Sequence, residues 1–567
     1  MKRLLVSILA ILLCLSAFVL IACNGDDSTT VNKTVPTFEI IDPVVYKSSA
    51  EFEIAESDPD NIGEIISIGL YKGDSKIRTA ENKDVRRFEG LDSNTTYTIK
   101  VKYEYDLQNG EGKKVGEISA TVKTIAGYSS SNDIKRDWSG KTLNIACSTW
   151  SAKPGAPWSV LELCVDYGKE SGFGTKIDAA VLERQEFIKE TYGVDLNWIN
   201  ATRYGMHDAL EEAIASGNVY YDLALPRAMR VQSIVAGGYI YDLANRDYID
   251  FSNYYYNKDS VETYTAKGHT FFVDGGFSIT SMQTADVLFF NKNVLKDVCE
   301  EFELYKMVRE GEWTFDKMLE LAITAYKDDG CYGDTSTYGI ICTSHSVVHT
   351  FFGVKRVKVD EATGEWTVSL NDLDMQNIIS AVNSAYKSNY WRSYMYGLGS
   401  SVNVFRDNLM LFYQDELSNA DIWEYENIGV VPFPMFNESQ GRYCVPCNMS
   451  IINLMCIPKN TQDRSMSEYF LDVLSWTGSE YTYKAYIEQK SEFFKSEYDM
   501  EMITEYIIPN ISYDAGAAVN WGSILSKPVS EMYDGYDKFK KSYDANRPPA
   551  LETLTKWNEA WGGYTEN

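Results

Sequence analysis

Residues 268–294 read GHTFFVDGGFSITSMQTADVLFFNKNV. Two apolar runs, Phe271–Val273 and Val287–Phe290, are separated by the pair Gly275-Gly276. Short apolar runs bounded by glycine are typical of buried strands, and Asn293 can cap a helix that follows the second run. The pattern predicts two buried strands and a helix, which any α/β domain could contain.

The composition limits the classes of function that the chain can have. Its 567 residues are enough for several domains, because single cores stop growing beyond about 250–300 residues. The net charge is −28, from 53 basic and 81 acidic side chains. This balance argues against a nucleic-acid partner, which needs clustered Lys and Arg, and disfavours strongly anionic ligands. Aromatic residues are 13% of the chain, which suits either core packing or a site that stacks rings on sugars.

The N-terminus has a charged segment, an apolar segment and a cysteine in succession. Two cationic residues precede the apolar segment 4–20, and Leu-Ile-Ala-Cys at 20–23 leads into a polar stretch at 24–34. An ordinary signal peptide or an anchoring helix would share these features. A cysteine directly after a small residue resembles a bacterial lipoprotein signal. The resemblance implies removal of the signal peptide 1–22, acylation of Cys23, and a polar tether that holds the protein at the outer face of the cytoplasmic membrane.

A small β domain is predicted at residues 35–125. Its clearest strand is 96–105, where five apolar side chains alternate with polar ones, as in a half-buried antiparallel strand. Phe-Glu-Gly-Leu at 88–91, followed by Tyr97, resembles the E–F corner of a fibronectin type III domain. The resemblance implies an all-β sandwich that serves as a spacer. The serine-rich residues 126–139 are predicted to be a linker.

Beyond the linker, the pattern changes to alternating strands and helices, which is typical of an α/β domain over residues 140–567. Helices are predicted to end at Gly193 and Gly217, because glycine commonly follows the last helical residue. Strands are predicted at 142–146, 194–198 and 221–225.

Several short segments of this domain follow a familiar order. They are Tyr192–Val194, Ala236–Leu243, Trp313–Asp316, Tyr338–Ile340, Phe405–Phe412, Ile428–Pro434, Ile457–Asn460 and Pro509–Ile511. Their order resembles the ABC-transporter solute-binding proteins of the maltose-binding class. The resemblance implies a two-lobe α/β, periplasmic-binding-protein-like domain in which residues 268–294 cross between the lobes as part of the hinge. Asn408, where glycine is usual, and the Cys444–Cys447 segment depart from the pattern.

Other combinations of residues carry weaker signals. Cys444 and Cys447, with Cys456 nearby, have no second Cys-x-x-Cys, so a disulfide or buried thiols are favoured over zinc. His345 and His349 are four residues apart but lack the glutamate of a metalloprotease motif, so they are interpreted as structural. No hydrolase, phosphate-binding or dinucleotide motif occurs in a strand–helix context. We therefore predict no metal, no cofactor and no catalysis.

Three classes of function remain. The first is an extracellular solute-binding lipoprotein that captures an oligosaccharide and delivers it to the permease subunits of an ABC importer. The second is a glycoside hydrolase with a fibronectin type III spacer, and the third is a surface adhesion module. The ordered two-lobe pattern favours the first. Because ligands bind at strand ends that face the cleft, the residues predicted to contact the solute are Trp150, Arg203, Arg227, Gln283, Trp391, Asp415, Glu416 and Trp521.

Overall fold

A computed structural model describes most of the chain. The described residues are 33–45, 49–80, 82–88, 91–92, 95–124, 138–148, 175–200, 205–328, 336–342, 348–370, 372–393, 401–422 and 425–565. Contacts between residues divide the chain into two compact units, Met1–Ala126 and Gly127–Asn567. The signal segment and Cys23 lie outside the described residues. Within the described part, no helix is both long enough and apolar enough to cross a bilayer.

The first unit contains two antiparallel sheets. Its strands are β1 (Thr37–Val45), β2 (Ala50–Ser57), β3 (Gly63–Lys72), β4 (Ser75–Thr79), β5 (Arg87–Phe88), β6 (Thr96–Tyr105) and β7 (Lys114–Lys123). One sheet has the order β1-β2-β5 and the other β4-β3-β6-β7. The alternation predicted for residues 96–105 is confirmed, since Tyr97, Ile99 and Val101 are buried in β6. The hydroxyl of Tyr97 accepts a hydrogen bond from the Asp92 amide at 2.9 Å. The likeness to a fibronectin type III domain stays a prediction.

The second unit mixes strands and helices. Its strands are β8 (Thr142–Cys147), β9 (Asp195–Asn200), β10 (Leu223–Leu225), β11 (Thr265–Ala266), β12 (His269–Thr270), β13 (Asp286–Asn291), β14 (Tyr338–Cys342), β15 (Val357–Val359), β16 (Trp366–Val368), β17 (Trp391–Ser393), β18 (Met410–Glu416), β19 (Ile428–Val431), β20 (Val445–Pro446) and β21 (Ile511–Ser512).

The α-helices of this unit surround its sheets. They are α1 (Thr175–Tyr192), α2 (Met206–Ser216), α3 (Val231–Ala236), α4 (Lys258–Tyr264), α5 (Thr280–Gln283), α6 (Lys292–Leu295), α7 (Glu301–Glu310), α8 (Phe315–Ala325), α9 (Val348–Phe351), α10 (Asp372–Tyr386), α11 (Ser401–Arg406), α12 (Arg464–Gly478), α13 (Lys484–Phe493), α14 (Glu497–Glu501), α15 (Ser523–Ser530) and α16 (Tyr536–Gly562).

Two sheets organise the second unit. The first is parallel, with the order β10-β8-β9. The second is mixed, with the order β17-β14-β18-β13-β19, and its β13 is antiparallel to both neighbours. Two separate sheets with helices around them fit a two-lobe α/β domain, as the sequence predicts.

Residues 268–294 connect the two sheets. Val273 bridges Met455, beside the bridge between Ala224 of β10 and Cys456, so this end extends the first sheet. Asp286 begins β13, which lies inside the second sheet. The chain returns between Cys447, which bridges Ala285, and Asn453, which bridges Arg227. The predicted passage from one sheet to the other is therefore present, and hinge movement stays a prediction.

The two adjacent glycines of this segment allow the chain to approach the end of α12 closely. A Cβ atom on Gly276 would lie 1.9 Å from Ser479 Oγ and 2.4 Å from the Ser475 carbonyl oxygen. A Cβ atom on Gly478 would in turn lie 2.0 Å from the Gly276 carbonyl oxygen. Such distances leave no space for a side chain, so the backbones pack directly against one another.

The helix cap in this segment lies two residues before its predicted place. We expected Asn293 to cap the helix, but Asn291 does so, because its Oδ1 accepts from the amides of Asn293 and Val294 at 2.9 and 3.3 Å. Asn291 is fully buried, and its Nδ2 donates to the Phe405 carbonyl at 2.7 Å. The second bond explains the difference, because Asn291 both caps the helix and binds the segment that contains Phe405.

Six cysteines lie in the described part of the chain. They are Cys147, Cys299, Cys342, Cys444, Cys447 and Cys456. Cys444, Cys447 and Cys456 are buried and free, so of the two predicted alternatives, a disulfide or buried thiols, the structure has buried thiols. Burial raises the pKa of each of these three thiols, so they are kept in the protonated, poorly nucleophilic form.

Candidate functional site

A turn at residues 448–451 joins side chains from both sheets. Arg227, which follows β10, donates from Nη1 to the carbonyls of Ser450 and Ile451 at 3.2 and 2.7 Å. Arg227 is buried, so the guanidinium is fixed by backbone acceptors rather than by solvent. A charged side chain of the first sheet thus holds the turn in place.

The second sheet reaches the same turn through Glu416, the last residue of β18. Glu416 Oε1 accepts from Asn448 Nδ2 at 2.9 Å, and the Asn448 amide donates to Thr284 Oγ1 at 3.3 Å. Asn448 Oδ1 accepts from the Ser450 amide and hydroxyl at 3.2 and 2.6 Å. We call Arg227, Thr284, Glu416, Asn448 and Ser450 the junction cluster. It places a guanidinium, a carboxylate, an amide and hydroxyls where the chain passes between the sheets.

Two further carboxylates lie beside Glu416. Asp286 is buried and accepts from Gln414 Nε2 at 2.5 Å, and Asp415 accepts from Asn419 Nδ2 at 2.8 Å. Burial raises the pKa of Asp286 well above its usual range, and the charges of Glu416 and Asp415 raise it further. Burial and the neighbouring carboxylates thus both favour the neutral form of Asp286.

The carboxyl group of Glu416 is the titratable centre of the cluster. Burial raises its pKa to about 7, the nearby Asp415 adds to the rise, and the hydrogen bond from Asn448 opposes it. Burial also raises the pKa of Asp415. A carboxyl group with such a pKa can donate or accept a hydrogen bond to a polar ligand at physiological pH.

Four of the eight predicted contact residues lie at or beside this junction: Arg227, Gln283, Asp415 and Glu416. Gln283 ends α5 next to Thr284, is buried, and its Oε1 has no hydrogen-bond partner among the described residues. Their role in binding a ligand stays a prediction, but the fold brings them together from positions far apart in sequence.

The structure does not bring Trp391 to this place. Its side chain is 1% exposed in β17, and its ring packs edge-on against Phe315 at a centroid distance of 6.2 Å. We expected this tryptophan to face a cleft, and in this structure it is a core residue instead. An indole is mostly apolar, so it satisfies a core position as well as a binding surface.

The remaining predicted contacts cannot be placed. Trp150 and Arg203 lie outside the described residues. The backbone of Trp521 belongs to a 3₁₀ helix, Ala515–Gly522, and its side chain is outside the described part. This helix follows β21, which pairs with β20 just before the 448–451 turn.

Sequence reasoning missed Thr284, Asn448 and Ser450. Asn448 and Ser450 follow Cys444-Val-Pro-Cys447, and small polar residues in a turn have no periodic pattern. Asn448 Oδ1 bonds the amide and hydroxyl two residues later, which is the usual asparagine turn. An asparagine-serine turn at the end of a short strand was the available signal.

One group of side chains elsewhere has the composition of a metal site. His207, Asp208 and Glu211 on α2 have ligand atoms within 4.8 Å of one another. His207 Nδ1 lies 3.3 Å from Asp208 Oδ1, and both acidic residues are exposed. Exposed acidic groups of this kind are common on helix surfaces, so we interpret the group as a polar helix surface.

Comparisons with known proteins find likeness only among solved structures. No family model and no curated protein matches the chain. An extracellular solute-binding protein from Staphylococcus aureus in complex with maltose has a TM-score of 0.48 and 11% identity, over 73% of this chain and 98% of that one. The galacto-N-biose/lacto-N-biose I-binding protein of the ABC transporter from Bifidobacterium longum has a TM-score of 0.47 and 12% identity, over 74% and 98%. The cyclic α-maltosyl-1,6-maltose binding protein from Arthrobacter globiformis has a TM-score of 0.47 and 13% identity, over 73% and 99%.

Proposed function

We propose that this chain is a membrane-anchored extracellular solute-binding protein that captures an oligosaccharide and delivers it to an ABC importer. The observation that carries the proposal is the junction cluster, in which Arg227 of one sheet and Glu416 of the other meet at the 448–451 turn. A ligand bound there would contact both halves of the α/β unit, so binding would favour one relative position of the halves.

The chemistry of the cluster suits a sugar. Sugar hydroxyls both donate and accept hydrogen bonds, and the cluster offers an acceptor on Glu416 and donors on Arg227 and Asn448. Hydrogen bonds to charged groups are the stronger kind, typically about 1.5–3 kcal/mol each. Trp521 would add an apolar face for the C–H side of a sugar ring.

The alternative of a glycoside hydrolase draws on the same carboxylates. A glycosidase needs two carboxyl groups that flank the scissile bond, one of them with a raised pKa. Glu416 has a raised pKa, but its neighbour Asp415 is the adjacent residue of the same strand, and adjacent side chains of a strand point to opposite faces. Binding without turnover is therefore the proposal.

A thermal-shift screen of the full chain against a panel of oligosaccharides tests the function. A ligand present at 100 times its Kd stabilises the native state by about 2.7 kcal/mol, which gives a clear rise in Tm. Polyols of matched concentration control for general solvent effects. A panel with no saccharide above the polyol baseline would speak against the proposal.

Lipid anchoring is the second part of the proposal, and it rests on the signal at residues 1–23. We expect wild-type protein in the membrane fraction with an acylated N-terminal Cys23, because more than one acyl chain is needed for stable attachment. Cys23→Ala should remove the acyl mass and leave the membrane fraction depleted. Cys14→Ala, which changes a cysteine inside the apolar segment, is the matched control and should behave as wild type. An acylated Cys23→Ala protein would contradict the assignment.

The β unit is proposed to be a spacer between the membrane and the α/β unit. Its separate core, which includes Phe52, Ile68 and Val101, supports a unit that folds by itself. Removing residues 35–125 should then leave saccharide affinity unchanged.

A further inference from the structure

The α/β unit contains a cavity of 550 Å³. Three segments supply most of its wall: residues 254–262, which include α4, residues 274–282 of the crossing segment, and residues 504–511 before β21. None of the five residues of the junction cluster lines it. A cavity of this size can hold a small organic molecule.

The wall of the cavity contains a buried carboxylate with spare hydrogen-bonding capacity. Asp274 is 2% exposed, and its Oδ2 accepts from the Tyr513 hydroxyl. Its Oδ1 has no hydrogen-bond partner among the described residues. Burial raises the pKa of Asp274 to about 6, and the hydrogen bond from Tyr513 opposes this rise. The side chain therefore keeps one buried oxygen atom without a donor among the described residues.

Two cationic side chains near this wall, Lys355 and Arg442, form ion pairs with Asp259 rather than with Asp274. Asp259 accepts from Lys355 Nζ at 2.7 Å and from Arg442 at 3.1 Å. Asp274 forms no ion pair with any residue in the described ranges. The other charged groups of the lining, Lys258 and Glu262, are four residues apart on α4 and oppose one another in sign. A cation that pairs with Asp274 would therefore have to be supplied by a bound ligand.

Aromatic rings complete the lining. The hydroxyls of Tyr255 and Tyr256 donate to Asp472 Oδ1 at 2.8 and 2.9 Å. Both tyrosines line the cavity, and their rings are the part that a ligand can contact. Tyr254, which is 72% exposed, stands at the rim. A cation placed beside aromatic rings is attracted by their negative faces. Buried carboxylate and tyrosine rings together select for positive charge.

We propose that this cavity binds a small organic cation, with a primary ammonium group directed to Asp274 Oδ1 and an apolar body against the tyrosine rings. The ammonium group supplies the donor that Oδ1 lacks, and it neutralises a carboxylate that the protein leaves without a cation. The cavity shares no lining residue with the junction cluster, so its occupation can be tested without a saccharide.

Calorimetric titration of the full chain with 2-phenylethylamine, which is protonated at neutral pH, tests the proposal. Its neutral analogue 2-phenylethanol is the matched probe. We expect saturable one-to-one binding of the amine and at least about tenfold weaker binding of the alcohol, a difference of about 1.4 kcal/mol. Equal affinities, or no saturable heat from the amine at millimolar concentration, would overturn the proposal.

Variants separate this site from general attraction of cations to an acidic protein. Asp274→Asn should weaken the amine about tenfold and leave the alcohol unchanged, whereas Glu361→Gln, at an exposed site elsewhere, should leave both unchanged. Tyr254→Ala at the exposed rim is a second variant that keeps the core intact, with Tyr498→Ala, 41% exposed and outside the lining, as its control. The site is supported if Tyr254→Ala binds the amine more weakly than wild type and Tyr498→Ala does not. Equal amine affinities of the two tyrosine variants would refute it.

Discussion

Replacing Asp514 with alanine is expected to lower the free energy of unfolding by about 3–5 kcal/mol, as loss of one partner from a buried ion pair commonly does. Asp514 Oδ2 accepts from Arg356 Nε at 2.7 Å and lies 3.5 Å from His349 Nε2. All three side chains are buried. Without the carboxylate, the Arg356 guanidinium would stay in the interior with no negative partner, and the Gly516 amide would lose its bond to Asp514 Oδ1.

The sign of the pH dependence gives a second readout for the same pair. Burial would raise the pKa of Asp514, but Arg356 and His349 outweigh it and hold the pKa below the usual range. A lowered pKa in the folded state adds stability above the unfolded value of 3.8, and that stability is lost as the pH falls. Urea titrations at several pH values should therefore show the largest deficit of Asp514→Asn above about pH 5.

A double variant serves as control. Arg356→Met combined with Asp514→Leu removes both charges, and we expect it to be less destabilised than Asp514→Ala, because no buried charge is left alone. A single alanine variant that unfolds at the wild-type urea concentration would show that the pair contributes nothing to the fold.

Replacing Glu416 with glutamine is expected to change stability and saccharide affinity in opposite directions. The pKa of Glu416 is raised from 4.5 to about 7, chiefly by burial. Because its pKa is raised in the folded state, Glu416 makes its full contribution to the free energy of unfolding below the unfolded pKa of 4.5. That contribution is lost as the pH rises through about 7. At pH 8, Glu416→Gln should thus be more stable than wild type by about 2–3 kcal/mol, and the difference should vanish near pH 4.

The affinity for a saccharide should fall in the same variant. The charged carboxylate makes a stronger hydrogen bond with a hydroxyl than an amide does, so its loss should cost about 1.5–3 kcal/mol, or roughly tenfold to a hundredfold in Kd. Glu361→Gln, at an exposed position, is the control for both measurements. A variant that binds the saccharide as tightly as wild type would remove Glu416 from the site.

Local patterns predicted the local structure well. The helix that ends at Gly217 and the helix that ends at Gly193 both stop at glycines with φ of 61° and 69°, a conformation that glycine adopts without strain. Period two located β6, because one face of that strand is buried. The cap was displaced from Asn293 to Asn291 because the bond to Phe405, 114 residues away, is invisible in the local pattern.

Long-range contacts account for what the sequence could not predict about the site. Arg227 was found because it ends a strand, but its partners at Ser450 and Ile451 lie more than 220 residues away. The prediction for Trp391 was wrong because a core position and a ligand-stacking position favour the same residue type. The pair of Asp514 and Arg356 is 158 residues apart and has no sequence signal at all.

Calorimetric titration of the full chain with the saccharide found by thermal screening, followed by chromatography of the sugar, tests the central claim most directly. The account predicts one saccharide bound per chain, at least about tenfold weaker binding to Glu416→Gln, and recovery of the sugar unchanged after prolonged incubation. Recovery of cleaved sugar would indicate that the protein is a glycoside hydrolase. Absence of binding by any saccharide would contradict the account.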